Sequence, residues 1–301
     1  MGILGPRPFA HPMTHPRAAV PHRVGVVGLG RMGGPIAGHL AAAGREVFGL
    51  DPGSTAGWPS VQRVASPEGL KSCDVVLVTA GGRVVGDILL KDGALRPAWR
   101  DRDVVVCSTV DPEEMRRLHA AAAADGGRLL DAPLCRGDHA AREGTLLALV
   151  GGDTSTLGRV DDVLRVFCSD IVHIGGPGAG QAAKLVNNML LWSTIASVVE
   201  SLRLAEGLGV SRGPLVEGLL KSSASSWVLE TWDRRRELPW ADEDMRMIMN
   251  CAANAGVEAP VARVVQGAIR FVRDSGALAE GGFGATGWTR PASPTEDGGP
   301  G

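Results

Sequence analysis

The sequence predicts an α/β chain, an N-terminal Rossmann-type doubly wound sheet followed by an all-helical C-terminal domain. Three observations carry this. Short apolar runs alternate with helical stretches as far as residue 176, the pattern of a mostly parallel sheet covered on both faces. A glycine-rich turn, Gly28-Leu29-Gly30-Arg31-Met32-Gly33, lies between the first apolar run and the first helical stretch. Past residue 178 the strand signals stop and long periodic apolar segments take over. A chain of 301 residues suits two domains of about 100 to 200 residues each. We place them at 23–176 and 177–275, between tails at 1–22 and 276–301.

Taken in order, the first strand is Val24 to Val27, and an alanine-rich helix follows the glycine turn as far as Ala43. Glu46 to Leu50 and Asp74 to Val78 are the next strands, then Asp103 to Cys107. A helix from Pro112 to Ala124 has a proline start and a Gly126-Gly127 stop. Arg128 to Leu130, Leu146 to Val150 and Ile171 to Ile174 complete the strands. The helical domain is read from segments 179–208, 212–222, 242–255 and 260–273. Both tails are rich in turn formers and read as disordered, the first alternatively as a mis-assigned start. His11, His15 and His22 in the first tail are read as solvated, and no metal is expected.

The glycine turn carries chemistry because of where it sits. Between a strand and a helix, the glycines allow a tight turn, close backbone approach to a pyrophosphate and close packing of helix on strand. The helix N-terminus then presents N–H groups to phosphate. The second strand ends in Asp51, 18 residues after Gly33, where an acid bonds a ribose 2′-hydroxyl and repels a 2′-phosphate; its alternative is a turn aspartate before Pro52. Pro52, Gly53 and Ser54 follow with no nearby arginine, so NAD is expected over NADP.

The segment Gly175 to Asn188, GGPGAGQAAKLVNN, sets a lysine and two asparagines on a helix apolar on nearly every side and expected to be buried. Lysine is rarely buried without a partner or a task. Lys184 and Asn188 are one turn apart, with Asn187 beside them, so one face presents an amine and amides to a single ligand. The alternative has Lys184 snorkelling to water.

These residues carry a family resemblance. GLGRMGGPIAGHL (28–40), Ser108-Thr109-Val110 with Asp111-Pro112, Asp131-Ala132-Pro133-Leu134-Cys135-Arg136-Gly137, and GGPGAGQAAKLVNN occur in the order found in the 3-hydroxyacid dehydrogenases. That group includes 3-hydroxyisobutyrate dehydrogenase, tartronate semialdehyde reductase and, more distantly, 6-phosphogluconate dehydrogenase. The chain resembles them from residue 23 to about 270. The resemblance implies a nicotinamide cofactor held by the 28–33 turn and Asp51, with Thr109 beside the nicotinamide. It implies substrate contacts from Cys135, Arg136, Gly137 and Asn187, Lys184 as general acid/base with Asn188 orienting, and a homodimer built through the long helix. A cofactor of this kind takes only the hydride, so a protein base must take the proton; desolvation disfavours an ammonium ion, which suits a lysine to that task. Trp227 is read either as lining the pocket or as core.

Two departures bear on substrate. Relatives usually read DAPVSGG where this chain has Cys135, Arg136 and Gly137, and a thiol donates a weaker hydrogen bond than a hydroxyl. Arg136 either clamps a carboxylate in its place or points to solvent. Where relatives usually carry Lys-Asp-Leu, this chain has Glu243-Asp244-Met245. Glu243 either turns the pocket toward neutral or cationic substrates or is a solvated helix-start acid. Three functions follow: a nicotinamide-dependent dehydrogenase or reductase interconverting a 3-hydroxy acid, or a related short alcohol, with its semialdehyde or ketone; an imine-reducing relative using NADPH; and a non-catalytic dinucleotide-binding relative.

Composition narrows the field. A net charge of −2 with scattered Lys and Arg argues against nucleic acid as a partner. Five cysteines without metal-ligand spacing argue against a disulfide framework and a zinc site, and fit a reducing cytoplasm. No apolar stretch approaches the ~20 residues of a membrane span without polar interruption. The absence of tyrosine removes a tyrosine-based proton donor.

Overall fold

The computed structural model describes residues 23–53, 57–90, 101–232 and 238–274; both tails, with His11, His15 and His22 of the first, lie outside these, as does Ser54. The first compact unit runs to Lys184 and the second begins at Leu185.

In the first unit the strands are β1 (Arg23–Val27), β2 (Glu46–Leu50), β3 (Val61–Arg63), β4 (Val75–Val78), β5 (Asp103–Val106), β6 (Arg128–Asp131), β7 (Leu134–Cys135), β8 (Leu146–Gly151) and β9 (Cys168–Gly175). They form one sheet in the order β3-β2-β1-β4-β5-β6-β8-β7, with β9 also on β8. Pairing is parallel from β3 through β6. It turns antiparallel where β8 meets β6 and β7, and β9 returns parallel to β8. Apolar runs alone do not encode that reversal. Nor do they announce β3 or β7, whose three and two residues are too short to show a period.

Alternation along each strand supplies two cores. Val24, Val26, Leu77 and Val105 face helices α1 (Gly33–Ala42) and, later in the chain, α5 (Thr154–Leu164), through Ile36, Leu40, Val160 and Leu164. Val27, Val76, Val78 and Val106 face α2 (Val85–Leu90) and α3 (Pro112–Ala124), through Val85, Leu89, Met115 and Leu118. Each such fully buried aliphatic side chain contributes about 1.5–3 kcal/mol. Helix α3 starts where the sequence places it because Asp111 accepts from the Glu113 and Glu114 N–H groups, at 2.8 and 3.3 Å, ahead of Pro112. The short helix α4 (Gly137–Glu143) follows β7. All five cysteines are free thiols. Burial pushes Cys73 and Cys168 up to about 12 and raises Cys107, so these three are protonated and poorly nucleophilic at neutral pH.

Helix α6 (Ala179–Gly207) leads into the second unit, followed by α7 (Arg212–Leu220), α8 (Trp227–Glu230), α9 (Ala241–Asn254) and α10 (Pro260–Asp274). Leu185, Trp192, Ile195, Val199 and Leu202 of α6 join Met245 and Ile248 of α9 and Val265 and Ile269 of α10 in a separate core. The indole N–H of Trp192 donates to the buried Asp244 carboxylate at 3.1 Å, pinning α9 to α6. The expectation of burial on all sides is corrected: Val186 and Leu190, one turn apart, are 60% and 64% exposed. By length and a mean hydropathy of 1.2 over 18 residues, α6 matches a membrane-spanning helix. Its packed face and its Lys184, Asn187 and Asn188 make it the core helix of a folded domain.

Candidate active site

In the sheet order, β1 and β4 lie side by side while the chain proceeds outward from them in opposite directions. A crevice opens beyond the carboxyl ends of strands at such a point, and ligands of doubly wound sheets bind there. Gly28 to Gly33 and Asp51 follow the carboxyl ends of β1 and β2, and Thr109 lies beyond that of β5.

The glycine turn leaves β1 with Gly28 at φ +94°, and a Cβ there would lie 2.8 Å from the Ala80 nitrogen. At Gly33 a Cβ would lie 1.9 Å from the Gly28 oxygen, so only glycine lets α1 start this close to the strand. Gly30 differs. Its φ needs no glycine, and a Cβ there would meet no atom within 4 Å. Nothing in the fold itself demands glycine at that position, while a pyrophosphate drawn onto the backbone beside a helix N-terminus does. The residues present therefore fit a dinucleotide. Gly30→Ala is expected to leave the melting temperature unchanged while weakening nicotinamide dinucleotide binding about tenfold or more, measured by differential scanning calorimetry and fluorescence titration.

Asp51, at the end of β2, accepts from the Leu29 N–H at 2.7 Å through Oδ2 and from the Gly53 N–H at 2.9 Å through Oδ1. It thus braces the glycine turn, beyond what its place in the sequence implies. One expectation is corrected here: Arg63 is near, its guanidinium donating to the Asp51 carbonyl at 2.8 Å. The parallel pairing of β3 with β2 brings it there across twelve residues of chain. Arg31 is exposed, 3.7 Å from Asp138, and Met32 is partly buried against the core.

A ladder of hydrogen bonds crosses the strand ends from this turn. Thr79 Oγ1 donates to the Gly28 oxygen at 2.7 Å, and Ser108 Oγ donates to the Ala80 oxygen at 2.6 Å. The Thr109 carbonyl lies so close to Gly82 that a Cβ there would stand 2.0 Å from it. Gln181 Nε2 donates to the Ser108 oxygen and Gln181 Oε1 accepts from the Val110 N–H, both at 2.9 Å. Asp131, fully buried at the end of β6, accepts from the Gly178 N–H at 2.9 Å and the Gln181 N–H at 3.0 Å, with His119 Nε2 at 3.1 Å. Its carboxylate caps the start of α6, where the helix dipole favours negative charge. Sequence reasoning missed Thr79, Gln181 and this use of Asp131, although the last two lie inside motifs it had singled out.

The ladder ends at Lys184. Its Nζ donates to the Leu134 oxygen at 2.6 Å and lies 3.8 Å from Cys135 Sγ. Lys184 is half-buried and turned to the β7 backbone, the opposite of snorkelling. Cys135 is buried. One turn further along α6, Asn188 is buried and its Oδ1 accepts from Asn187 Nδ2 at 3.0 Å.

For Arg136 the sequence left two readings, a carboxylate clamp or a side chain in solvent. Its Nη1 donates to the Asp170 carboxylate, Ser169 Oγ and the Thr145 oxygen at 2.7, 2.8 and 3.0 Å. It already holds a carboxylate of its own chain, and the Ser169 hydroxyl and this guanidinium together keep the Asp170 carboxyl below its ordinary value. Arg136 also sits at φ +84°, where a side chain is strained, just before Gly137 at φ +76°. Those three bonds offset the strain of an arginine where relatives usually carry glycine. Trp227 opens α8 at 44% exposure, outside the core of the second unit, so the core reading does not hold for it.

Comparison with known proteins agrees with the fold. Residues 23–175 match the model for the NAD binding domain of 6-phosphogluconate dehydrogenase. Residues 178–281 match the model described as NAD-binding of NADP-dependent 3-hydroxyisobutyrate dehydrogenase. The 3-hydroxyisobutyrate dehydrogenase of Pseudomonas aeruginosa is 35% identical over 224 residues, 72% of this chain and 74% of that protein. The NAD-dependent L-serine dehydrogenase of the same organism is 34% identical over 226 residues, again 72% and 74%. The solved structure of Mycobacterium tuberculosis 3-hydroxyisobutyrate dehydrogenase with L-serine superposes with a TM-score of 0.75 at 31% identity, covering 87% of this chain and 96% of that one.

Proposed function

The chain belongs to the family of 3-hydroxyisobutyrate dehydrogenase and related 3-hydroxyacid dehydrogenases, and from that premise we propose how its residues carry out the reaction. It is an NAD(P)-dependent oxidoreductase of hydroxy acids, interconverting a CH–OH group with the semialdehyde or ketone. The observation that carries the mechanism is the fixed position of Lys184 Nζ on the Leu134 carbonyl, at the end of the ladder that starts in the glycine turn.

Gly28, Leu29, Gly30, Arg31, Met32 and Gly33 would hold the dinucleotide at the start of α1, with Asp51 at the ribose and Thr109 at the nicotinamide end. Bound there, the cofactor supplies the hydride acceptor or donor. Lys184 handles the proton, taking it from the substrate hydroxyl in oxidation and returning it to the carbonyl oxygen in reduction. Asn188, one turn on, holds the substrate oxygen, and Asn187 is in place to orient it through the bond between their amides. Cys135 and the Gly137 backbone take the substrate carboxylate side, Arg136 being occupied elsewhere. The retained lysine speaks against the imine-reducing alternative, whose members usually replace it.

For the cofactor, NAD is the proposed form, because an acid at the end of the second strand favours a ribose 2′-hydroxyl and repels a 2′-phosphate, while Arg63 at the Asp51 carbonyl pulls the other way. Purified protein is expected to oxidise 3-hydroxyisobutyrate or L-serine with a kcat/KM for NAD about tenfold or more above that for NADP, and Asp51→Ala to narrow that ratio. Preference for NADPH with a cyclic imine over every hydroxy acid overturns both assignments.

We place the functional boundary at 176/177, with α6 whole in the C-terminal domain; the break between the two family matches, at 175 and 178, supports it. A homodimer in a reducing cytoplasm is the proposed state. The exposed apolar residues Val186, Leu190 and Leu204 of α6 and Val261, Val264 and Phe271 of α10 favour a second copy against this unit.

A further inference from the structure

Gln181 is fully buried in the first turn of α6, and its amide is matched on both sides. Strand β5 ends at Val106, so Ser108 to Val110 lie beyond its ladder. Two bonds at 2.9 Å, Val110 N–H to Oε1 and Nε2 to the Ser108 carbonyl, let one side chain hold both backbone groups flanking Thr109. The Gln181 backbone N–H is meanwhile fixed on Asp131 at 3.0 Å. Three residues further along the same helix, Lys184 is held on Leu134. A buried amide with two backbone partners has one allowed orientation, because any turn of it leaves a donor facing a donor or an acceptor facing an acceptor.

We propose that Gln181 is a positioning residue for the reaction, an amide clamp that fixes the Thr109 segment relative to Lys184. The proposal rests on Lys184 as the proton carrier and on Thr109 at the nicotinamide end. Proton and hydride movement both need the reacting groups within a few tenths of an ångström of the productive arrangement, and a small misplacement costs large factors in rate. A side chain that only filled space or capped the helix would affect folding and leave turnover per folded molecule unchanged.

The test compares Gln181→Met, of similar size without the bonds, with Gln181→Glu, which keeps an acceptor for Val110 but faces the Ser108 carbonyl with a second acceptor. Expected for Gln181→Met are a kcat lowered about 30-fold or more, KM for the hydroxy acid and Kd for NAD within about threefold of the parent, and a larger deuterium isotope effect on kcat with substrate labelled at the oxidised carbon. In the unliganded protein, amide exchange at Val110 is expected to quicken about tenfold or more. Should Gln181→Met fail to fold, Gln181→Glu is expected to lower kcat about tenfold with Val110 protection retained. A folded variant with kcat within threefold of the parent overturns the inference, as does a loss of NAD affinity that matches the loss of kcat. A parent protein that turns over no hydroxy acid overturns the reading beneath it, an outcome distinguishable because it needs no variant.

Discussion

Lys184→Ala is expected to lower kcat by about 100- to 10,000-fold, the range contributed by a positioned proton carrier, while leaving the NAD dissociation constant within about threefold. The two effects separate because the glycine turn, Asp51 and the Thr79 and Ser108 bonds do not include the lysine. Folding should be little changed, since the substitution removes one amine from one carbonyl, Leu134 O, and leaves the α6 start anchored by Asp131. Steady-state kinetics paired with fluorescence titration of the cofactor checks this. Turnover equal to the parent's ends the lysine mechanism; lost cofactor binding would show that Lys184 supports the dinucleotide site instead. Small primary amines added to the alanine variant should restore part of the rate, because the missing function is proton transfer.

Asp131→Ala is expected to destabilise the first unit by about 3 kcal/mol, in the range for removing one partner of a buried charged network. The carboxylate is fully buried and serves the Gly178 and Gln181 N–H groups and His119 at once. Its loss leaves buried donors without acceptors at a helix start, where the dipole compounds the cost. A fall of about 10 °C in melting temperature corresponds to that loss. Asp131→Asn keeps an acceptor oxygen and should lose roughly half as much. The packing around this residue leaves no easy repair. A Cβ at Gly151 would come within 2.6 Å of Asp131 Oδ2, and one at Gly180 within 2.4 Å of the Leu149 oxygen, so the helix start is already as close to the sheet as glycine permits. An unchanged melting temperature would mean that water takes over the orphaned donors and that the carboxylate makes no net contribution to stability.

The elements legible in the sequence were those with a local signature. Strands such as Val75–Val78 announced themselves by unbroken apolar runs, and Pro112–Ala124 by its proline start and the Gly126-Gly127 stop. The glycine turn and the Lys184 helix were readable because their residue types are costly without a ligand or reaction to justify them. What escaped depends on contacts between segments far apart in the chain. Arg63 reaches Asp51 only because β3 pairs with β2. Arg136 is drawn from the substrate side by Ser169 and Asp170, more than thirty residues on. Gln181 passed for an ordinary helix-start residue, since no periodicity records that an amide finds two backbone partners about seventy residues upstream. The exposed side of α6 was misjudged for a related reason: an apolar residue type reports that burial is favourable, not whether the same chain supplies the cover.

The difference between Gly30 and Gly33 bears on how loss of function in this protein would look from outside. A residue other than glycine at position 33 pushes atoms into the Gly28 carbonyl and prevents correct folding, so such a chain would be removed by quality control and register as low abundance. A Cβ at position 30 meets no atom within 4 Å. A chain so changed would accumulate at normal levels, keep its solubility and thermal stability, and hold the dinucleotide about tenfold or more weakly. Surveys that score variants by cellular abundance would therefore rank the two neighbouring glycines at opposite extremes, although both changes impair the reaction.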